Sequence, residues 1–305
     1  MNRPLPLPRG LGLAVILALL FAGVSTALAQ SDFETAIGQY SEEQVKGYVQ
    51  PFADLFSANM NSGHYYYAGI PRAGLTLRLE IVPMGAIVSD DQKEYDLPLP
   101  WGGTGKAPTI FGNPDGATFQ NPGGGSPYIA TGGIIKSSMM PFIVPQLRVG
   151  SVLGTEGTIR WMSTAPFSNE TFPTTELFGF SVRHSISQWF DVIPLDLAAG
   201  YFYDKLTTQD LIDFNSSAFG IQAGKSFGIA GVYGGIQWET SKMKLSYTYT
   251  DPYSSVSQTV ATEFETANTI RFTVGGSLSF GFMAIFADAN FSAVTNFSGG
   301  IAFGI

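Results

Sequence analysis

The last stretch of the chain alternates between apolar residues and small or polar ones. From Phe297 to Ile305 the odd positions hold phenylalanine, isoleucine or glycine, and the even positions hold serine, glycine or alanine. Neighbouring side chains of a β-strand point to opposite faces, so this pattern predicts a strand with one apolar face. In water such a strand would be an exposed adhesive edge, whereas in a bilayer it could close a barrel. We favour the second interpretation.

The same alternation recurs along most of the chain. It predicts roughly eleven strands, and because single-chain bacterial barrels usually have an even number, we expect about 10 to 12. The fold class is therefore all-β, a transmembrane antiparallel β-barrel preceded by an amphipathic helical segment. The candidate strands are 74–88, 143–153, 158–163, 177–187, 195–203, 217–224, 229–239, 244–250, 268–280, 283–291 and 297–305.

Residues 31–63 form the one stretch with helical periodicity. Ser41 and Gln44 have the spacing of a capping box, and Gly63 follows two polar residues that would end the helix. Pro51 falls inside the pattern and is expected to kink or restart the helix. The apolar face consists of Val45, Tyr48, Val49, Phe52, Leu55 and Phe56.

Residues 89–140 are rich in glycine, proline and asparagine and form the longest segment without clear periodicity. Long loops of this kind are usually functional, and in barrels they lie on the outer side. We expect an extracellular loop here, with brief strands at 109–111 and 128–130.

The first 29 residues have the pattern of a secretory signal peptide. Arg3 and Arg9 precede an apolar run, and Ala29 ends a small-x-small cleavage motif. The alternative, a retained anchor, needs a longer apolar run than this one. We therefore divide the chain into a signal peptide (1–29), a helical plug (30–71) and a barrel (72–305).

The composition agrees with an exported barrel. Only 13% of the residues are charged, the net charge is 16 − 24 = −8, and there are 36 glycines and no cysteine. The absence of a basic block argues against nucleic-acid binding. Aromatic residues near the predicted strand ends suit the two belts at a membrane interface, although they would also suit the core of a soluble sandwich. They are Trp161, Trp189, Tyr201, Tyr203, Trp238, Tyr247 and Tyr249.

Charged residues with inward parity are the candidate lumen lining, and arginine dominates them. One interpretation is a structural ladder of salt bridges that fills a narrow barrel, and the other is a lining that attracts an anionic head group. The set is Arg78, Glu80, Arg148, Arg160, Arg183, Asp196 and Arg271.

No pattern in the sequence meets the requirements of a catalytic or cofactor-binding motif. Outer-membrane lipid hydrolases use a histidine and a serine on the same strand face, whereas Ser185 directly follows His184 and points the opposite way. His64 has no partner motif, and two scattered histidines without cysteine do not indicate a metal site. Residues 102–107 lack the first glycine and the hydroxyl residue of a phosphate loop. We expect no enzyme activity, no metal and no cofactor.

Two stretches of the helical segment carry a family resemblance. Residues 47–56, GYVQPFADLF, followed by 59–63, NMNSG, resemble an uncharacterised family of outer-membrane proteins, a domain of unknown function. A helical head before a barrel is also distantly similar to fatty-acid transporters of the FadL type. That similarity implies uptake of hydrophobic substrates, with the head acting as a plug.

These observations lead to two functional hypotheses. The first is a channel or transporter in the bacterial outer membrane for small hydrophobic or amphipathic molecules, gated by the N-terminal helix. The second is a structural or adhesive barrel that transports nothing and acts through residues 89–140. Both imply outer-membrane lipid as a partner, and only the first implies a small ligand.

Overall fold

The computed structural model describes residues 36–38, 40–165, 174–190, 194–209, 211–250 and 257–305, with only the backbone at 247–250 and 257–258. The predicted signal peptide lies outside these residues. No helix in the described ranges combines the length and apolar character needed to cross a membrane.

The described residues contain one long helix, α1 (Glu42–Met60), and fifteen strands. The strands are β1 (Ala73–Ile87), β2 (Glu94–Pro98), β3 (Thr104–Pro108), β4 (Ala117–Phe119), β5 (Tyr128–Ala130), β6 (Met139–Val152), β7 (Thr155–Ser163), β8 (Thr175–Ser185), β9 (Asp196–Thr208), β10 (Ile212–Phe227), β11 (Ala230–Thr250), β12 (Ser257–Glu265), β13 (Ile270–Ser279), β14 (Met283–Phe291) and β15 (Thr295–Gly304).

The long strands close into an antiparallel barrel with 10 positions around the ring. The order is β1-β6-β7-β8-β9-β10-β11-β13-β14-β15, and β15 returns to β1 with Ile301 opposite Ile81. β12 continues the line of β13 after a short break at 266–269, because β11 pairs with β13 along its first half and with β12 along its second. The predicted fold class is confirmed, and the terminal strand closes the ring.

Three strand predictions differ in detail from the structure. Residues 229–239 and 244–250 belong to the single 21-residue strand β11, because the polar residues between them pair with β10 instead of forming a turn. β12 went unpredicted because its apolar residues are few. Residues 109–111 form no strand, whereas 128–130 form β5.

The barrel turns its apolar side chains outward. Leu79, Trp161 and Phe272 are each more than half exposed, while their polar neighbours along the strand point into the lumen and are buried. This is the reverse of a protein folded in water and matches a wall that faces hydrocarbon. The alternative of a soluble sandwich is therefore wrong.

The two ends of the barrel differ in their connections. At one end, here the turn end, short turns such as 153–154 and 228–229 join the strands, and the chain finishes there. Gly228 adopts a φ of +64°, which the tight turn requires and glycine allows without strain. At the other end, here the loop end, residues 88–138 form a long excursion that we call the cap.

Helix α1 begins and ends where the sequence predicts. The Ser41 hydroxyl accepts from the Gln44 amide at 3.4 Å, and the Gln44 side chain accepts from the Ser41 amide at 3.0 Å. Asn61 caps the other end, and Gly63 follows with a φ of +67°. Pro51 does not restart the helix, which runs through it without interruption. Nearly every residue after Pro51 is packed inside the barrel, which compensates for the lost backbone hydrogen bond.

The helix lies inside the lumen, in the half next to the loop end. Residues 61–71 then run through the lumen to the turn end, where the Ser151 hydroxyl donates to the Pro71 carbonyl and the Gly154 amide to the Arg72 carbonyl. Within the predicted segment 30–71, we use the word plug from here on for residues 40–71.

The cap covers the helix from the loop end. It contains the two hairpins β2–β3 and β4–β5. Gln44 donates to the carbonyl of Pro98 at 3.0 Å, and the Tyr48 hydroxyl donates to that of Gly132 at 2.8 Å. The cap and the plug therefore form one packed layer across the mouth.

Candidate functional site

The lumen has an apolar zone near the loop end. There the wall presents large apolar side chains, and the apolar face of α1 packs against them. The Phe56 ring meets Phe142 and Phe214 edge-on, with centroids 5.5 and 4.8 Å apart. All six predicted residues of the helix face are buried. The wall residues of this zone include Met140, Phe142, Leu177, Leu206, Phe214, Met243, Leu245 and Phe264.

A polar zone follows at mid-depth, where the predicted lumen residues meet. Arg148, Arg160, Arg183, Arg271 and Glu80 are each at most 1% exposed. They belong to five different strands, β6, β7, β8, β13 and β1, whose inward positions converge at this depth. The structure therefore brings these five together.

Each buried arginine of this zone has a carboxylate partner on the wall. Arg148 bonds Glu80 at 2.7 Å and Glu156 at 2.8 Å, and Arg183 also bonds Glu156. The other two pairs are Arg160 with Asp204, at 3.3 Å, and Arg271 with Glu239. Four arginines thus face four carboxylates and their charges cancel, an arrangement that favours the structural ladder over an anion-attracting lining.

Two predicted residues lie apart from this ladder. Arg78 is half-buried and donates to the Tyr66 hydroxyl of the plug at 2.7 Å. Asp196 lies at the turn end, beside Gly69, where it lines an open cleft of about 440 Å³ with Ile70 and Lys225.

Sequence reasoning missed three of the carboxylates, although each had a usable signal. Asp204 shares inward parity with Asp196 on β9 but lies one residue past the predicted strand end. Glu239 shares parity with the inward Gln237, and Glu156 lies just outside predicted strand 158–163. Longer estimates of strands 158–163 and 195–203 would have included Glu156 and Asp204, whereas Glu239 already lay at the end of predicted strand 229–239.

The wall holds the plug by its backbone. At mid-depth, six wall side chains donate hydrogen bonds to seven plug carbonyls, at 2.7 to 3.3 Å. The pairs are Arg271 with Ala58, Arg160 with Met60 and Ser62, Gln237 with Asn61, Gln146 with Gly63, Arg148 with His64, and Arg183 with Tyr67.

Two of these donors lie where the C-terminal end of α1 leaves carbonyl groups without partners. The last four carbonyls of a helix lack partners within it, and the C-terminus carries partial negative charge. Arg271 and Arg160 reach the carbonyls of Ala58 and Met60 at this end. Between Asp54 and Arg72 the plug contains no Asp, Glu, Lys or Arg. Its side chains that face the salt-bridge ladder are therefore neutral.

His64 is a buried imidazole within this neutral stretch. Its Nε2 lies 3.3 Å from both Nη1 of Arg160 and Oδ2 of Asp204, and its ring packs on Phe202. Burial, reinforced by the Arg160 charge, lowers the pKa of His64 to about 4. The imidazole is therefore neutral at pH 7.

Rings of the plug also pack on the wall arginines. The Arg183 guanidinium lies 4.9 Å from the centre of the Tyr67 ring, and that of Arg148 lies 5.5 Å from the Tyr66 ring. The Tyr67 hydroxyl donates to Glu156. The plug thus contacts the ladder through carbonyls, aromatic faces, the His64 imidazole and the Tyr67 hydroxyl.

The other candidates from the sequence were a metal site, a histidine–serine pair and a phosphate loop, and the described residues form none of them. In the described part of the chain, no group of three or more histidine and acidic residues could hold a metal ion. His184 lies at the turn end and contacts Thr155 at 2.8 Å, while Ser185 is buried on the opposite face. Residues 104–108 form strand β3, which is not the geometry of a phosphate loop.

Residues 10–305 match the sequence profile of DUF6588, a family of unknown function. The chain belongs to this family. The predicted resemblance to an uncharacterised family of this kind is thereby confirmed. A search of curated proteins finds no match.

Among solved structures, the chain is distantly similar to outer-membrane barrels. One is OmpT of Vibrio cholerae, at 8% identity over 76% of this chain and 100% of that one, with a TM-score of 0.27. Another is the toluene transporter TodX of P. putida, a FadL-type protein, at 11% identity over 84% of this chain and 76% of that one, with a TM-score of 0.30. These similarities are too remote to bear on function.

Proposed function

We propose that this DUF6588 protein is a bacterial outer-membrane barrel that admits small hydrophobic or amphipathic molecules when its plug moves. The turn end would face the periplasm and the loop end the outside, as in barrels with short periplasmic turns. The exposed apolar wall would contact outer-membrane lipid.

The observation that carries this proposal is how the plug is held. All the ion pairs at mid-depth are between wall residues, and the plug offers only carbonyls, rings and neutral side chains to them. Moving the plug would break hydrogen bonds but would separate no pair of opposite charges. Separating a buried ion pair costs several kcal/mol, roughly 3 to 5, so a plug with no charged side chain at this depth is much easier to move.

The apolar zone supports the class of cargo. Barrel interiors are usually polar, yet the loop-end half of this lumen is lined by phenylalanine, leucine and methionine. With α1 displaced, that zone becomes an apolar recess behind the cap. A recess of this kind suits a molecule with an apolar body.

A deletion tests the proposal. Liposomes that contain protein lacking residues 31–63 should conduct ions and small solutes faster than liposomes with the intact form. Heat-modifiable migration in detergent gels would first confirm that the deletion variant still forms a barrel. If the folded deletion variant conducts no better than the intact protein, the plug does not gate the lumen. Should the deletion variant fail to fold, Arg160→Lys keeps the whole plug and tests the same proposal, because it should also raise conductance.

The structural or adhesive hypothesis places the activity in the cap. The inner side of the cap is bound to the plug through Gln44 and Tyr48, which favours a lid that moves with the plug. Deletion of residues 89–138 distinguishes the two hypotheses. Higher permeability supports the lid, whereas loss of binding to a surface at unchanged permeability supports adhesion. We also propose that the barrel is not an enzyme, supported by the opposite faces of His184 and Ser185.

A further inference from the structure

The polar zone presents hydrogen-bond donors to the lumen, although the charges of its ion pairs cancel. Its four arginines keep wall carboxylates as permanent partners, so the zone carries no net charge from these eight groups. What it offers to the lumen are mainly N–H donors, which bind backbone carbonyl oxygens of the closed plug, while one plug group, the Tyr67 hydroxyl, donates to Glu156. The plug therefore shows which ligand chemistry the zone accepts.

We propose that the molecules admitted by this barrel are uncharged and bear carbonyl groups, as amides and short blocked peptides do. This inference rests on the proposed function and names its substrate class. A carbonyl oxygen of the solute would replace a plug carbonyl on Arg160, Arg183 or Gln237, while its apolar part would remain in the apolar zone.

Other solute classes fit the zone less well. A carboxylate would add an unpaired charge to a buried region whose four arginines already have carboxylate partners, and burying an isolated charge costs far more than burying a neutral amide. A cation would lie among arginine guanidinium groups and would find few open acceptors, such as Oδ1 of Asp204, which has no hydrogen-bond partner. A hydrocarbon would leave arginine donors unsatisfied, at about 1 to 3 kcal/mol for each buried group.

A matched set of water-soluble solutes tests the inference on the intact protein in liposomes. At pH 6.5, N-acetyl-leucinamide is neutral and has two carbonyls, N-acetyl-leucine is the matching anion, and leucinamide is the matching cation. Mannitol is neutral and of similar size but has no carbonyl. Uptake is measured by rapid filtration and corrected for empty liposomes. We expect N-acetyl-leucinamide to enter about tenfold faster than each of the others, which corresponds to about 1.4 kcal/mol.

A donor variant provides the second readout. Gln237 donates to the Asn61 carbonyl at 3.0 Å and belongs to no ion pair. Gln237→Met removes that donor at similar volume, and it should reduce the preference for N-acetyl-leucinamide over mannitol several-fold. Gln92→Met in the cap is the matched control and should leave the preference unchanged.

The possible outcomes separate this inference from the proposed function. Equal uptake of all four solutes above the empty-liposome rate would overturn the carbonyl preference and leave the gated barrel intact. Faster uptake of the anion would point to an anion-attracting lining and would also overturn the inference. No uptake by the intact protein, by Gln237→Met or by the deletion of 31–63 would reject the proposed function itself.

Discussion

Arg160→Lys should loosen the plug while keeping the charge of the ladder. The Arg160 guanidinium donates to the carbonyls of Met60 at 2.9 Å and Ser62 at 2.7 Å, and it pairs with Asp204. A lysine ammonium can stay near Asp204 but cannot reach both carbonyls from there. Two hydrogen bonds from a charged donor are worth about 3 kcal/mol together. The ratio of open to closed barrels should therefore rise by about two orders of magnitude.

Single-channel recording in planar bilayers measures that ratio as open probability. The matched control is Arg72→Lys, because Arg72 is an exposed side chain at the turn end and the same replacement there should leave the open probability unchanged. If Arg160→Lys behaves like Arg72→Lys while remaining folded, the arginine–carbonyl contacts do not hold the plug closed.

Two further predictions concern the plug. With the plug in place the pKa of His64 is about 4, whereas that of a free histidine side chain is 6.5. Between these pH values, His64 therefore binds a proton only when the plug has left its position. Plug closure is then fully stable above about pH 6.5 and loses up to about 3 kcal/mol as the pH falls to 4. Open probability should rise over that range, and His64→Asn should flatten the rise; an unchanged pH profile in the variant would contradict this assignment. Phe56→Ala leaves a cavity beside Phe142 and Phe214 and should lower the free energy of unfolding by about 3 to 5 kcal/mol. The temperature at which the gel band shifts should fall, and Val274→Ala on the lipid face should lower it less.

The wall of the barrel could be predicted from the sequence because lipid imposes a strict alternation. Outward residues that meet hydrocarbon must be apolar, so the parity of Leu147, Ile159 and Phe272 also fixed the inward direction of Arg148, Arg160 and Arg271. The helix could be predicted because its cap is local and needs only Ser41 and Gln44.

The contents of the lumen could not be predicted in the same way. The wall arginines bind plug carbonyls, and a backbone carbonyl has no signature in the sequence. Partners such as Arg160 and Asp204 are distant in the chain and meet only through the order of the strands. The extended strand β11 was read as two because Thr240 to Lys242 resemble a turn, whereas neighbouring strands pair with them there.

The position of α1 inside the barrel is tested most directly by a disulfide between plug and wall. The hydroxyls of Ser57 on α1 and Thr266 lie 3.2 Å apart, and the natural chain has no cysteine. Ser57→Cys with Thr266→Cys should therefore form a disulfide in the folded protein and lock the barrel closed until a reductant restores conductance. Ser57→Cys with Ser226→Cys at the turn end should form none. If both thiols of the first pair remain free and reactive in a folded barrel, the helix does not lie in the loop-end half of the lumen.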